Sequence, residues 1–151
     1  MSRLLAACGG FLSAVVWMDL IFDVQVQRHA RPAGALPESV LASIAGYYRR
    51  ATTDSRPMSR LIAATMLVAV VGSAVQLVRG DGSLAARALA LVLCGAPTLL
   101  AGGRVVPNAV RLGQRSDDAD VQSALARGIC RDHWLCFASI VAFTALQISG
   151  I

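Results

Sequence analysis

Four long apolar runs, separated by polar clusters, set the pattern of this chain. They are Leu4–Phe22, Leu61–Val78, Leu84–Gly103 and Trp134–Ile151. Leu61–Val78 and Trp134–Ile151 each extend 18 residues without a charged side chain. A helix crosses a bilayer core with about 20 mostly apolar residues. The runs therefore predict membrane-spanning helices over about 4–23, 58–79, 84–104 and 132–151. The uncharged stretch Leu4–Met18 is only 15 residues long, so the first helix has to carry Asp19 to reach full span. Four such runs in 151 residues leave too little polar surface for four buried helices of a soluble protein. The predicted fold is all-α: one transmembrane domain, an integral membrane four-helix up-down bundle.

The polar connections carry their own signals. Arg31-Pro32-Ala33-Gly34-Ala35-Leu36-Pro37 reads as a turn, and Pro37-Glu38 as a helix start. Val40, Leu41, Ile44, Tyr47 and Tyr48 then recur at helical spacing opposite Glu38, Ser39 and Arg49. That predicts a short amphipathic helix over about 37–52, lying at the membrane interface with its tyrosines at headgroup level. Asp54-Ser55-Arg56-Pro57 opens the second long helix, and Gly80-Asp81-Gly82 turns the chain before Ser83 caps the third. Pro97 is expected to kink the third helix, and Pro107-Asn108 to end it. Ser116, Asp117, Asp118 and Asp120 mark another start, from which Val121, Leu125 and Ile129 lead straight into the fourth run.

Composition agrees with this reading. Hydrophobic residues make up 56% and charged residues 15%, against about 25% charged in soluble domains. Mean hydropathy is +0.60. All 14 basic residues are arginine, which fits a GC-rich coding sequence such as many bacteria have. A pI near 9.7 raises nucleic acid as a partner, but these arginines flank apolar runs, so none is expected. Six lie between Val24 and Arg60, five between Arg104 and His133, and three (Arg3, Arg79, Arg87) on the other side. The asymmetry predicts a multi-pass protein of the inner (plasma) membrane, both long connections cytoplasmic and both termini outside. Cys8, Cys94, Cys130 and Cys136 are expected as free thiols. Leu5-Ala6-Ala7-Cys8 looks like a lipoprotein box, but too little apolar sequence precedes it, so the first run is kept as a mature helix.

Polar chemistry gathers at one end of the four runs. Asp19 and Asp23 lie one helical turn apart on one face, with Gln27 a turn further. Asn108 and Arg111 follow the third run, and Arg131, Asp132 and His133 open the fourth. An acid inside a membrane helix has to pair, protonate or face a cavity. Two readings are open for Asp19 and Asp23. They act as acid/base groups, or they form ion pairs with Arg104, Arg111 or Arg131 that lock the bundle. His133 is either a general base over a cavity or a headgroup-level histidine beside Trp134. His29 falls in the turn and is expected to be solvated. Asp19, Asp23, His29 and His133 offer metal-ligand types without a ligand spacing, so neither metal nor cofactor is predicted. Gly9, Gly10 and Ser13 form a small-residue patch suited to helix packing or a homodimer.

Ala96-Pro97-Thr98, Val106-Pro107-Asn108 and Leu112, with Arg131, His133 and Trp134 at the head of the last run, resemble the anthrone-oxygenase-like family of small four-helix membrane proteins. The resemblance covers roughly Ala96–Phe137. It implies cofactor-independent oxygenation of a lipophilic anthrone or quinone-like aromatic. His133 would be the base, oriented by Asp19 or Asp132, and Asn108 or Arg111 would stabilise the oxyanion. The sequence slightly favours a non-catalytic function, an accessory subunit or lipid-binding scaffold contacting membrane lipid and a partner membrane protein, with the oxygenase as the alternative.

Overall fold

A computed structural model describes residues 1–29, 34–80 and 83–150. The turns expected at Arg31-Pro32-Ala33 and Asp81-Gly82 lie outside the described residues. The described chain is all-helical. Helix α1 runs Ser2–Asp23, and a short 3₁₀ turn, Gln27–His29, follows it. Helix α2 is Glu38–Tyr48, and π-helical turns continue it over Arg49–Asp54. Helix α3 is Arg56–Arg79, and α4 is Leu84–Leu100. A second π-helical stretch, Ala101–Val105, joins α4 to α5, Val106–Gln114. Helix α6, Ala119–Ile148, begins at Asp118, whose carboxylate accepts the Val121 N–H at 2.8 Å. Four helical stretches are long and apolar enough to cross a membrane: Ser2–His29, Pro57–Arg79, Leu84–Gln114 and Ala119–Ile148.

The third stretch outlasts its expected end. Pro107 does not stop it; the helix runs on to Gln114 and ends at Arg115 in a left-handed conformation (φ 55°). Pro107 stands in the first turn after the π-helical stretch, where a missing N–H costs least. Helix α4 likewise continues through the buried Pro97. The Thr98 hydroxyl donates to the Cys94 carbonyl at 2.8 Å, next to the Leu93 carbonyl that proline cannot serve.

Helices α1 and α6 pack most extensively, α3 packs on α1 and α4, and α4 also packs on α6. Leu5, Leu12, Leu20, Ala69, Ala90, Ile140 and Phe143 form the core between them. A second core lies at one end. Val40, Leu41, Ile44 and Ala45 of α2 bury against Val105, Ala109 and Leu112 of α4–α5 and Ala126 and Ile129 of α6. Helix α2 is therefore clamped onto the extensions of the third and fourth long helices. Their extra turns give its apolar stripe a protein surface to cover. Gly113 allows the approach: a Cβ there would stand 2.9 Å from the Arg49 backbone nitrogen. The four cysteines are free and buried.

Candidate functional site

Clamping α2 brings its last two residues over the end of α1. The Tyr47 hydroxyl donates to Asp19 Oδ1 and the Tyr48 hydroxyl to Asp23 Oδ1, each at 2.6 Å. Two carboxylates one turn apart on α1 thus meet two consecutive tyrosines at the end of α2. Phe22 stacks on Tyr47 with ring centroids 4.0 Å apart and fixes that phenol's plane.

His133 reaches the same point from α6. Its Nδ1 lies 2.6 Å from Asp23 Oδ2, and its Nε2 lies 3.7 Å from Asp19 Oδ2. The hydrogen bonds assign the tautomer. A buried carboxylate accepts, so Nδ1–H donates to Asp23. The Tyr48 hydroxyl, 3.4 Å from Nδ1, is already committed to Asp23, so that contact is an approach of two donors. In the neutral ring the free lone pair then sits on Nε2. Asp23, with its side chain fully buried, receives both a phenol and an imidazole and orients the ring.

This cluster stands at one end of a half-open cavity of about 790 Å³. Asp19, Tyr47, Tyr48 and His133 line it, and Asp23 stands behind them. The other walls are mainly apolar: Leu12 and Val16 from α1, Ile62, Met66 and Val70 from α3, Pro97 from α4, and Cys136 and Ile140 from α6. Both π-helical stretches border it, through Ala51 and Thr52 and through Ala101, Gly102 and Val105. Widened turns at a cavity wall are a recurrent feature of functional sites. An apolar chamber with a few convergent polar groups at one end is the usual form of a small-molecule site.

Of the residues singled out in the sequence, the structure brings together Asp19, Asp23 and His133. Asn108 is half-buried and stands outside the cavity lining, which takes Val105, Val106 and Ala109 from its neighbourhood. Arg111 forms a two-pronged pair with Asp117 at 2.7 and 2.8 Å on the exposed surface. Its bonds hold the Asp117 carboxyl below its usual range. Buried Asp132 pairs with Arg104 at 2.9 Å, with Arg131 at 3.3 Å on its other oxygen. The arginines open to Asp19 and Asp23 as ion-pair partners thus serve other acids, and His133 and the tyrosines serve these two. His29 is exposed, its Nδ1 3.1 Å from the Gln25 carbonyl. Among the described residues no group of three or more His, Cys, Asp or Glu is arranged to hold a metal ion.

Tyr47 and Tyr48 are the site residues that sequence reasoning missed, by assigning them to the headgroup layer. The available signal was stoichiometric: two acids one turn apart need donors, and two adjacent phenols supply them. Burial, reinforced by Asp19 beside Tyr47 and Asp23 beside Tyr48, pushes both phenols well above their ordinary range. A phenol whose folded pKa is raised gives stability that is complete below its unfolded value, near 10, and lost as pH rises beyond it. Thermal stability in detergent is expected to fall as pH rises above about 10, and less steeply once Tyr47 and Tyr48 are both phenylalanine. The double variant starts lower at pH 8, having lost both donors. Parallel curves for the two proteins would assign the alkaline loss to other groups.

The geometry defines a class: a small helical protein with four helices long enough to cross a membrane and a His–Asp–Tyr cluster at the end of an apolar cavity. Comparison with protein-family models, curated proteins and solved structures finds no match for this chain.

Proposed function

We propose that this chain is a multi-pass inner-membrane enzyme that takes a proton from a lipophilic aromatic or quinone-like substrate. In this reading the four long helices cross the bilayer up and down. The arginine asymmetry places α2 and the His133 cluster at the cytoplasmic side. One observation carries the proposal: an imidazole whose Nδ1 is held by a buried carboxylate lines a large, mainly apolar cavity. An accessory subunit needs only packed helices, whereas this bundle keeps space open beside His133.

The motif resemblance to the anthrone-oxygenase-like family suggests the reaction. His133 Nε2 removes a proton from the acidic ring CH₂ of an anthrone. The carbanion adds molecular oxygen, and the peroxide takes back the proton and loses water. The balance is CH₂ + O₂ → C=O + H₂O, with no cofactor. Asn108 and Arg111 stand away from the cavity. Tyr47 also lines the cavity, but its one hydroxyl proton is committed to Asp19, so the imidazolium that His133 becomes is the cation beside the developing oxyanion. The lipid-binding scaffold remains the second reading, because the same walls suit an acyl chain.

Native mass spectrometry of the chain extracted in mild detergent, followed by incubation with a tricyclic phenolic anthrone in air, separates the two. A retained aromatic molecule, lost on filling the cavity with Ala101→Trp, and anthraquinone formed above the uncatalysed rate are the expected results. Recovery with phospholipid or a second polypeptide alone, without turnover, would overturn the enzyme reading.

A further inference from the structure

A groove of about 360 Å³ lies between α6 and the turn that follows α1, and shares no lining residue with the His133 cavity. Its lining is Val26, Gln27, Arg127, Cys130, Arg131, Trp134 and Leu135. We propose that it is a binding site for an anionic phospholipid, with the phosphate on Arg127 and Arg131 and the tails on the aromatic surface below. The inference rests on the membrane reading of the four long helices, but not on catalysis.

Charge complementarity favours this occupant. Arg127 and Arg131 are one helical turn apart on α6, so both guanidinium groups rise from one face. The lining holds two positive charges and no acid. Arg127 donates to the Gly34 carbonyl at 3.0 Å, a neutral acceptor. Arg131 touches Asp132 at 3.3 Å, but Arg104 holds that carboxylate more closely, at 2.9 Å. With 63% of its side chain exposed, Arg131 is free to turn towards a second anion. Guanidinium forks match phosphate oxygens two at a time. The Gln27 amide, now directed at Cys130 Sγ at 3.7 Å, adds a neutral donor at the rim.

The lower part of the groove fits the rest of a lipid. Trp134 and Leu135 are 40% and 57% exposed, directly after the arginines and at the head of the uncharged part of α6. Trp134 packs edge-on against Phe137 (6.3 Å between centroids), and Phe137 against Trp17 of α1 (5.6 Å). Trp17 and Ile21 on the facing helix are also half exposed. Cations, then an indole, then a continuous apolar seam follow the order of phosphate, glycerol and acyl chain in a bilayer.

The test uses the full chain in neutral detergent, titrated separately with phosphatidylglycerol, phosphatidylcholine and inorganic phosphate, and read by native mass spectrometry and thermal shift. Phosphatidylglycerol is expected to bind about tenfold more tightly than phosphatidylcholine at low salt, with the preference shrinking as salt rises. Inorganic phosphate alone is expected to produce no shift. Arg127→Gln/Arg131→Gln should abolish the preference, while Arg3→Gln/Arg79→Gln, which removes the same charge elsewhere, should keep it. Equal affinity for the two lipids, a full response to inorganic phosphate, or equal loss in the control variant would overturn the proposal. The lipid preference of the unaltered chain decides the matter even if the double variant does not fold. Anthrone turnover does not enter any of these readouts.

Discussion

Replacing Asp23 by alanine is expected to lower stability by about 3–5 kcal/mol, the scale for losing two hydrogen bonds to one buried charged group. The side chain is fully buried and accepts from both the Tyr48 hydroxyl and His133 Nδ1 at 2.6 Å. Alanine leaves both donors without their acceptor in a site that water reaches poorly. Asp19→Ala is the internal comparison. Asp19 keeps 17% of its side chain exposed, and its one short bond is to Tyr47. Its loss should cost only about 1 kcal/mol, because water can serve the freed phenol. Denaturation of both variants in the same detergent checks the order. Equal losses would mean that Asp23 is not the structural centre of the cluster.

The second large effect concerns turnover. His133→Gln is expected to slow anthrone oxidation by about 10²–10⁴-fold, the usual contribution of a positioned general base, with substrate still retained in the cavity. Glutamine can donate to Asp23 but has no basic nitrogen to present to the cavity. Asp23→Asn should give a related result by a different route. An amide facing Nδ1 as donor favours the tautomer with its proton on Nε2, so the lone pair turns away from the cavity. The rate falls with the ring still in place. Rates are measured against the uncatalysed oxidation in air, and binding by the mass of the retained complex. Unchanged rates in His133→Gln would remove the base from the proposed mechanism and leave the lipid-binding reading.

Much of the fold was legible because hydrophobic periodicity and length are local properties. The run Leu61–Val78 between Arg60 and Arg79 is apolar all round, and it appears as Arg56–Arg79. The acid-rich start of α6 and its unbroken continuation into the last apolar run were also readable, since a cap and an i, i+4 series need only neighbouring residues. Pro107 misled because proline is a local signal whose cost depends on its position in the helix. The preceding π-helical stretch makes it a first-turn residue, and no side chain from Ala101 to Val105 announces that stretch.

The site was half legible. Asp19 and Asp23 identified themselves as acids in an apolar helix, and His133 as a titratable group at the head of another. Their choice of partner was not readable. Arg104, Arg111, Arg131 and His133 all stood near the ends of their runs, and depth along a helix does not state direction around it. Only packing rotated His133 inward to Asp23 and Asp19, sent Arg104 to Asp132 and left Arg111 on the surface with Asp117.

By itself, then, the sequence determined an all-helical chain with four helices long and apolar enough to cross a membrane, and a concentration of ionisable groups at one end. Tertiary structure alone decided that α2 clamps over that end, that Tyr47 and Tyr48 satisfy the two carboxylates, and that an apolar cavity opens beside His133. The physical reason is range. Helix formation follows from backbone bonds four residues apart, whereas the cluster joins residues 19, 23, 47, 48 and 133, whose meeting depends on how three helices rotate and dock.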